Sequence, residues 1–441
     1  MLPLGASASY TAGVRGFLVV ALWLGLACSG SEETQEEPQA PLEPENARNG
    51  QAPDPEDDPL AGLDDPDLIT DIPDGVAQQA PVEVPRNGCA TFGEQALRVW
   101  AHPGIADIVA VGDDGFAIAG YANGASGEEV FALTITPGGA PRPILRELLE
   151  RPLQTPRVAP PGLGAIDSGH IGIAISDLGA RVLFDVVQLG GRRLGFREVG
   201  NDADQRFSPA VASTGSTRLV AYTEGSELTR VWAVVVDGAG RVTGRHDITP
   251  LSATARAPLW IEPHNMVFVD AREGTSTLWN QAFLPSGTPD GDPEVFAAVA
   301  NTYDPIQWAT APAATGHVLS FVAVGRAAKT AVGTISTEDP TPRPVVPSEG
   351  YGSLSTDLVA SDHSLVFVAD APLGEDRESR REVRVRRASN AAPAELGEAI
   401  SLRGPDGSAH HARVARRGED YAVVFGSSDG VYVHFLRCDE S

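Results

Sequence analysis

The residues that could do chemistry in this 441-residue chain lie in short polar stretches between apolar, strand-like runs. The sequence contains no His-Glu-x-x-His metal motif and no Gly-rich phosphate loop ending in Gly-Lys-Ser/Thr. The candidates are acidic, basic, aromatic and imidazole side chains that could line a binding site without a signature motif. They are Asp202, Asp204, Arg206, Arg256, Asp270, Arg272, Tyr303, Asp304, Tyr351, Asp370, His410 and His411. These residues form a site only if the fold brings their stretches together.

The adjacent histidines His410 and His411 have the residue types of a metal-binding pair. Successive residues of an extended strand point to opposite faces of the sheet, so neighbours are poor chelating partners. The three cysteines, Cys28, Cys89 and Cys438, have no second Cys or His at metal-ligand spacing. The sequence therefore predicts no metal site, and it gives no sign of a cofactor.

Residues 427–430 form the polar run Ser-Ser-Asp-Gly, which is similar to the Asp-box of sialidase-like propellers. The run lacks the Thr-Trp that follows in that motif, and it is not repeated elsewhere in the chain. Asp-Gly pairs favour two-residue hairpin turns. We therefore interpret the run as a hairpin turn before a strand.

Residues 1–27 have the layout of an export signal, with Arg15 before an apolar stretch of about twelve residues. That stretch is shorter than the roughly 20 residues that span a bilayer. It ends in Leu-Gly-Leu-Ala before Cys28, which resembles the lipobox of bacterial lipoproteins, although that family prefers Leu, Val or Ile where Gly25 stands. The resemblance implies a lipid on Cys28 that anchors the exported chain to a membrane of the cell envelope. An ordinary secretory signal or an uncleaved anchor is the alternative.

Residues 28–85 have the composition of a tether. Between residues 29 and 85 there are sixteen Asp or Glu, ten Pro and one Arg, while Phe, Tyr and Trp are absent. Too little apolar surface is available to offset the loss of chain entropy on folding, so we expect a disordered, acidic, Pro-rich segment. The net charge of the whole chain, −26, excludes a nucleic-acid partner, because binding to phosphates needs concentrated positive charge.

From residue 86 onward, short strand-like runs recur at regular spacing. Seven apolar runs begin at residues 116, 171, 219, 266, 318, 365 and 421, which are 47 to 56 residues apart. Residues 206–249 show the unit best, as four strand-like runs separated by Gly, Ser and Thr. Repeats of about 50 residues with four strands each are typical of propeller blades. The sequence predicts an all-β fold over residues 86–441, a β-propeller of seven four-stranded blades, with six or eight as alternatives.

The two ends of the repeat region complement each other. The last unit ends after three strands, and residues 96–101 are a strand-like run left over before the first complete unit. Pairing these ends would complete the last blade and remove an exposed sheet edge. Cys89 precedes the first run and Cys438 follows the last one, so in an exported protein we predict a disulfide between them.

The predicted fold suggests where a ligand would bind. In a propeller, the loops from strand two to strand three and the loops between units share one rim, and the twelve candidate residues lie in these loops. Because no reacting group stands out, the first hypothesis is a non-catalytic binding or scaffold lipoprotein of the cell envelope, with an envelope protein or a glycan as partner. The alternative is a hydrolase or lyase that acts on envelope or extracellular glycans.

These two hypotheses predict different rims. An enzyme requires several carboxylate, Arg, Tyr or His side chains that converge at the channel mouth, one of them with a shifted pKa. A binding platform requires a broad, shallow rim with an apolar or aromatic patch. The side chains at the channel mouth therefore decide between the two hypotheses.

Overall fold

The chain is all-β in the part that the structure describes. The computed structural model describes residues 82–86, 89–93, 95–112, 115–124, 126–149, 159–177, 181–200, 206–214, 217–225, 229–250, 255–262, 264–272, 275–300, 308–313, 316–323, 329–335, 343–344, 355–373, 380–392 and 396–438. All the regular secondary structure in these ranges consists of β-strands. These ranges contain no helix that is long and apolar enough to cross a membrane.

Six sheets each consist of four consecutive antiparallel strands, and we name them blades 1 to 6 in chain order. Blade 1 contains β4 (Gly104–Val111), β5 (Gly115–Gly124), β6 (Gly127–Ile135) and β7 (Arg142–Leu148); blade 2 contains β8 (Gly162–Asp167), β9 (His170–Asp177), β10 (Arg181–Gln188) and β11 (Arg197–Gly200); blade 3 contains β12 (Arg206–Thr214), β13 (Thr217–Glu224), β14 (Arg230–Val236) and β15 (Val242–Asp247). Blade 4 contains β16 (Ala255–Glu262), β17 (Asn265–Arg272), β18 (Thr275–Ala282) and β19 (Glu294–Ala300); blade 5 contains β20 (Trp308–Ala313), β21 (Gly316–Ala323), β22 (Lys329–Ile335) and β23 (Arg343–Pro344); blade 6 contains β24 (Thr356–Ala360), β25 (Ser364–Pro372), β26 (Arg381–Ser389) and β27 (Ile400–Leu402).

A further sheet, the closing blade, is assembled from both ends of the described chain. It contains β1 (Val82–Arg86), β2 (Cys89–Thr91) and β3 (Leu97–Trp100) from the N-terminal side, with β28 (His410–Arg417), β29 (Asp420–Ser427) and β30 (Gly430–Cys438) from the C-terminal side.

The pairing within the closing blade confirms the predicted junction. Both β2 and β3 pair with β30, and Cys89 lies directly opposite Cys438. These two cysteines form a disulfide that joins positions 349 residues apart. The closing blade has six strands instead of the predicted four, because β1 and β2 extend its outer edge. Strand β1 begins at Val82, inside the segment that composition assigns to the tether.

The sheets form a ring. The first strands β4, β8, β12, β16, β20, β24 and β28 contact one another in that order, and β28 also contacts β4. Apolar cores of described residues lie between successive sheets; one joins blades 4 and 5 through Val267, Leu278 and Trp308. The predicted β-propeller is confirmed, and its difference from the prediction lies in the closing blade.

The second strand of each sheet contains a continuous apolar run, because both of its faces pack against neighbouring sheets. All seven apolar runs found in the sequence fall in second strands, namely β5, β9, β13, β17, β21, β25 and β29. In β29 every residue from Tyr421 to Ser427 is buried.

Candidate functional site

Three first strands that lie side by side at the inner edge of the ring carry charged residues: β24 of blade 6, β28 of the closing blade and β4 of blade 1. Asp357, Arg413 and Asp107 occupy the same register position on these strands, since each pairs with the fourth residue of its neighbour's apolar run. The strand order places Arg413 between the two aspartates. The fold therefore sets one guanidinium between two carboxyl groups.

Both aspartates bind the backbone of the next sheet. Asp357 Oδ2 accepts a hydrogen bond from the Val414 N–H at 2.9 Å, and its Oδ1 accepts one from the Leu358 N–H at 2.9 Å. Asp107 repeats this arrangement, with the amide of the following residue at 2.9 Å and the amide of Leu163 in blade 2. First strands have no strand partner on their inner edge, so these amides would otherwise lack an acceptor. Each carboxyl group therefore fastens its sheet to the next one.

The same surroundings change the proton affinity of the two carboxyl groups. Burial raises the pKa of Asp107 to about 7; the Arg413 guanidinium opposes the rise, and the Asp357 carboxylate adds to it. Burial also raises the pKa of Asp357, again against the pull of Arg413. All three side chains keep part of their surface exposed. A carboxyl group with a pKa near 7 can donate or accept a proton at neutral pH.

Two imidazoles lie at the start of β28. The β28–β29 ladder shifts register between His410 and Arg413, and His411 has a φ of 53°. This bulge brings the two rings together, with centroids 5.2 Å apart. The expectation that neighbouring side chains diverge to opposite faces is therefore wrong for this pair. Among the described residues, no group of three or more His, Cys, Asp or Glu is placed to hold a metal ion.

Burial makes both imidazoles weakly basic. The pKa of His411 is lowered to about 4, mainly by burial; the neighbouring His410 and Arg413 contribute to the shift, and Asp370 opposes it. Burial also lowers the pKa of His410. Both rings are therefore neutral at pH 7. Because Arg413 influences the pKa of both His411 and Asp107, the imidazoles and the carboxyl pair are linked through this guanidinium, and we refer to the five residues as the cluster.

A buried ion pair in blade 6 supports this cluster. Asp370 is fully buried and accepts hydrogen bonds from Arg381 Nε at 2.9 Å and from the Ser355 N–H at 2.7 Å. The Ser355 hydroxyl oxygen accepts a hydrogen bond from the Ala412 N–H at 2.9 Å. Blade 6 thereby contacts the backbone immediately after His411.

The structure describes the predicted rim residues to different extents. Asp370, His410 and His411 lie in or beside the cluster, whereas Asp270 is buried at the end of β17 in blade 4. For Arg206, Arg256 and Arg272 the structure describes the backbone only, within β12, β16 and β17. The predictions that lie outside the described residues are Cys28, Asp202, Asp204, Tyr303, Asp304 and Tyr351.

Sequence reasoning missed Asp107, Asp357 and Arg413, because it placed candidate sites in loops and these residues lie within first strands. The sequence nevertheless contains a pattern that could have identified these three residues. Aligning the first strands through the apolar runs that follow them puts a charged residue at one shared position in three units. Charged side chains inside strands that face neighbouring sheets need a partner or a function.

Residues 426–430, Gly-Ser-Ser-Asp-Gly, also fit the Gly-x-Ser-x-Gly spacing of a hydrolase nucleophile elbow. That elbow needs a strand, a sharp turn and a helix, whereas here β29 turns directly into β30 with Ser427 opposite Gly430. Ser427 Oγ donates to the Asp406 carboxylate at 2.7 Å, and Ser428 Oγ donates to the same group. The predicted hairpin turn is confirmed, and its serines hold the loop that precedes β28.

Comparison with known proteins adds information about the fold. No known protein family and no curated protein matches the sequence. An ulvan lyase, described as a new family of polysaccharide lyase, superimposes with a TM-score of 0.52 and 10% identity over 78% of this chain and 96% of that chain. The sialidase of Trypanosoma rangeli gives 0.42 and 11% over 68% of this chain and 56% of that chain. The β-propeller domain of the Trilobed protease from Pyrococcus furiosus gives 0.41 and 8%, over 76% and 93%.

At these identities the similarity establishes the propeller fold and assigns no activity. The chemistry must be inferred from the cluster itself. Its groups are a carboxyl group that is partly protonated at pH 7, a permanently charged guanidinium and two neutral imidazoles. Together they can donate a proton, accept a proton and bind an oxygen atom of a ligand.

Proposed function

We propose that this protein is a glycan-cleaving enzyme whose acid–base site lies where blade 6, the closing blade and blade 1 meet. The observation that carries the proposal is that Asp107, Arg413 and His411 lie on the adjacent first strands β4 and β28, and that the pKa values of Asp107 and His411 are strongly shifted. Such a cluster is the feature expected of an enzyme and not of a broad binding rim. The fold similarity to a polysaccharide lyase, with a TM-score of 0.52, supports a glycan as substrate.

The proposal gives each group a role. His411 is neutral above its pKa of about 4 and acts as the general base. Asp107 is protonated below its pKa of about 7 and acts as the general acid. Arg413 binds a substrate oxygen between them, since a guanidinium offers several N–H donors in one plane.

This acid–base pair serves two reactions. In hydrolysis, His411 takes a proton from the attacking water while Asp107 protonates the departing glycosidic oxygen. In elimination, His411 takes a proton from the sugar carbon next to a carboxylate. The carbon–oxygen bond then breaks, a carbon–carbon double bond forms, and Asp107 again protonates the departing oxygen. Only elimination gives a product that absorbs ultraviolet light.

The test is cleavage of a panel of neutral and uronate-containing polysaccharides by the purified full-length protein. We expect a bell-shaped pH profile that falls below about pH 4, where His411 is protonated, and above about pH 7, where Asp107 is ionised. Replacing Asp107 with Asn should lower kcat by about 100-fold or more and remove the alkaline limb.

The matched control is Asp185→Asn. Asp185 is also a buried aspartate whose pKa burial raises, to about 6, but it lies on β10 of blade 2 and pairs with Arg193. This variant should cleave glycans with the wild-type pH profile. If the wild-type protein binds glycans from the panel and cleaves none of them, the enzyme proposal fails and a binding module remains.

We also propose that the enzyme acts at the cell envelope, attached through a lipid on Cys28. The apolar stretch before Cys28 and the acidic segment after it support this location. The wild-type protein should fractionate with membranes and incorporate labelled fatty acid, whereas Cys28→Ser should be released into the soluble fraction. Retention of the unlabelled variant on membranes would contradict the anchor.

A further inference from the structure

The backbone at His411 adopts a conformation that its own residue type does not favour. Its φ of 53° lies in the left-handed region, and His411 is the one non-glycine residue of the described chain with a positive φ. A non-glycine residue stays in this region only where its surroundings hold it there. The contacts on either side of His411 should therefore show what holds it.

Blade 6 holds the backbone on both sides of the bulge. Before it, the Ala409 N–H donates to the Arg381 carbonyl oxygen at 2.8 Å. After it, the Ala412 N–H donates to Ser355 Oγ at 2.9 Å. The first acceptor is a main-chain carbonyl, which any residue would supply. The second acceptor is a side-chain oxygen, so this hydrogen bond depends on the residue type at position 355.

Ser355 is fixed in place by its own neighbours. It is fully buried, its N–H donates to Asp370 Oδ1 at 2.7 Å, and its carbonyl oxygen accepts from the Asp370 N–H at 3.3 Å. Arg381 holds the other oxygen of Asp370 at 2.9 Å. The hydroxyl therefore reaches the closing blade from a rigid support and not from a mobile loop.

We propose that Ser355 is a positioning residue, whose hydroxyl holds the His411 bulge and so sets where the His411 imidazole lies in the acid–base cluster. Its effect on turnover depends on the proposed function. Its effect on the bulge does not, because that follows from the hydrogen bond between Ser355 and the Ala412 amide. The two effects can therefore be measured separately.

The first measurement follows the bulge by NMR in the full-length chain. In Ser355→Ala the Ala412 amide loses its acceptor, so its hydrogen exchange should accelerate by about tenfold or more. The charged and titratable groups around His411 are His410, Asp370, Arg381 and Arg413. When the ring leaves this half-buried position, its pKa should rise by about one unit or more toward the ordinary histidine value.

The second measurement follows turnover on a glycan that the wild-type protein cleaves. Ser355→Ala should lower kcat by about tenfold or more and change KM much less, because a misplaced base affects the chemical step. The acid limb of the pH profile should move up together with the pKa of His411. If Ser355→Ala does not fold, Ser355→Cys replaces it, since a thiol fills nearly the same space with a weak acceptor.

The control is Ser361→Ala. Ser361 is also buried in blade 6, but its Oγ accepts from the Ser364 N–H at 2.8 Å within its own turn. This variant should lose stability without changing the His411 pKa or the exchange of the Ala412 amide.

An unchanged His411 pKa and unchanged Ala412 exchange in Ser355→Ala would overturn the positioning role, whatever the activity. A shifted His411 pKa in a protein that cleaves no glycan would uphold the role of Ser355 in the bulge and defeat the proposed function alone.

Discussion

Blade 3 and the closing blade are built from the same antiparallel strands but are assembled in different ways. Blade 3 uses one continuous stretch, from β12 to β15, in which each strand pairs with the next one along the chain. The closing blade joins β1–β3 to β28–β30 across almost the whole described chain, and a disulfide locks the two ends. One sheet is held by local pairing, and the other by long-range pairing.

The two sheets also differ in their buried polar groups. In blade 3, Arg245 pairs with Glu224 at 2.7 Å and covers the Trp232 ring at 4.0 Å, so its charge has a partner within the sheet. In the closing blade, His434 on β30 is buried with neither ring nitrogen hydrogen-bonded. The closing blade also carries His411 and Arg413 of the proposed site. The closing blade therefore combines the proposed site with a buried imidazole whose ring nitrogens have no hydrogen-bond partner.

The largest effect should come from removing the disulfide. By the chain-entropy model, a cross-link that closes a loop of 349 residues stabilises the fold by about 6 kcal/mol. Cys89→Ser should lower the free energy of unfolding in urea by nearly this amount under oxidising conditions. Cys438→Ser should match it, and reductant should destabilise the wild-type protein only. A wild-type urea midpoint that reductant does not change would show that strand pairing between β2, β3 and β30 closes the ring without the disulfide.

The next effect concerns acid and His434. Burial lowers the pKa of His434 to about 4, so the folded state binds this proton less readily than the unfolded state does. Stability from the neutral ring is therefore complete above the ordinary histidine pKa of about 6.5 and is lost as the pH falls toward 4. Between pH 7.5 and 4.5, His434→Leu should gain about 2 to 3 kcal/mol relative to wild type in urea unfolding.

A second variant separates charge from packing at this position. His434→Gln keeps a polar side chain that cannot become charged, so it should lose the same pH dependence as His434→Leu while remaining less stable at pH 7.5. If both variants follow the wild-type pH dependence, His434 does not titrate on unfolding. The acid sensitivity of the protein would then arise outside this position.

The contrast between the two sheets also explains what the sequence could predict. The apolar runs at residues 219 and 421 are equally visible, because second strands are buried on both faces in blade 3 and in the closing blade alike. The disulfide was predictable from the positions of Cys89 and Cys438 relative to the unpaired runs. The periodicity of the strands and the positions of the unpaired runs and their cysteines were therefore enough to predict the propeller and its closure.

The site was predictable only in part, because its geometry depends on contacts between sheets. His410 and His411 were candidates by residue type, but no local sequence pattern predicts the bulge that brings their rings close to each other. Asp357 looks like an ordinary polar strand residue until the Val414 amide of the next sheet is placed beside it. A pKa shift caused by burial requires the packed structure, so composition could not reveal it.

The smallest expected effect lies in blade 3 and tests whether its interactions are local. Arg245→Gln removes the ion pair with Glu224 and the contact with Trp232, which together should cost about 1 kcal/mol in urea unfolding. Arg241→Gln, which removes an exposed pair with Asp237 at 3.0 Å, should change the midpoint much less. Because Glu224 and Trp232 lie within the same sheet as Arg245, Arg245→Gln should change neither the acid sensitivity assigned to His434 nor the pKa of His411. A shift in either would show that blade 3 is coupled to the closing blade around the ring, and the distinction between local and long-range assembly would fail.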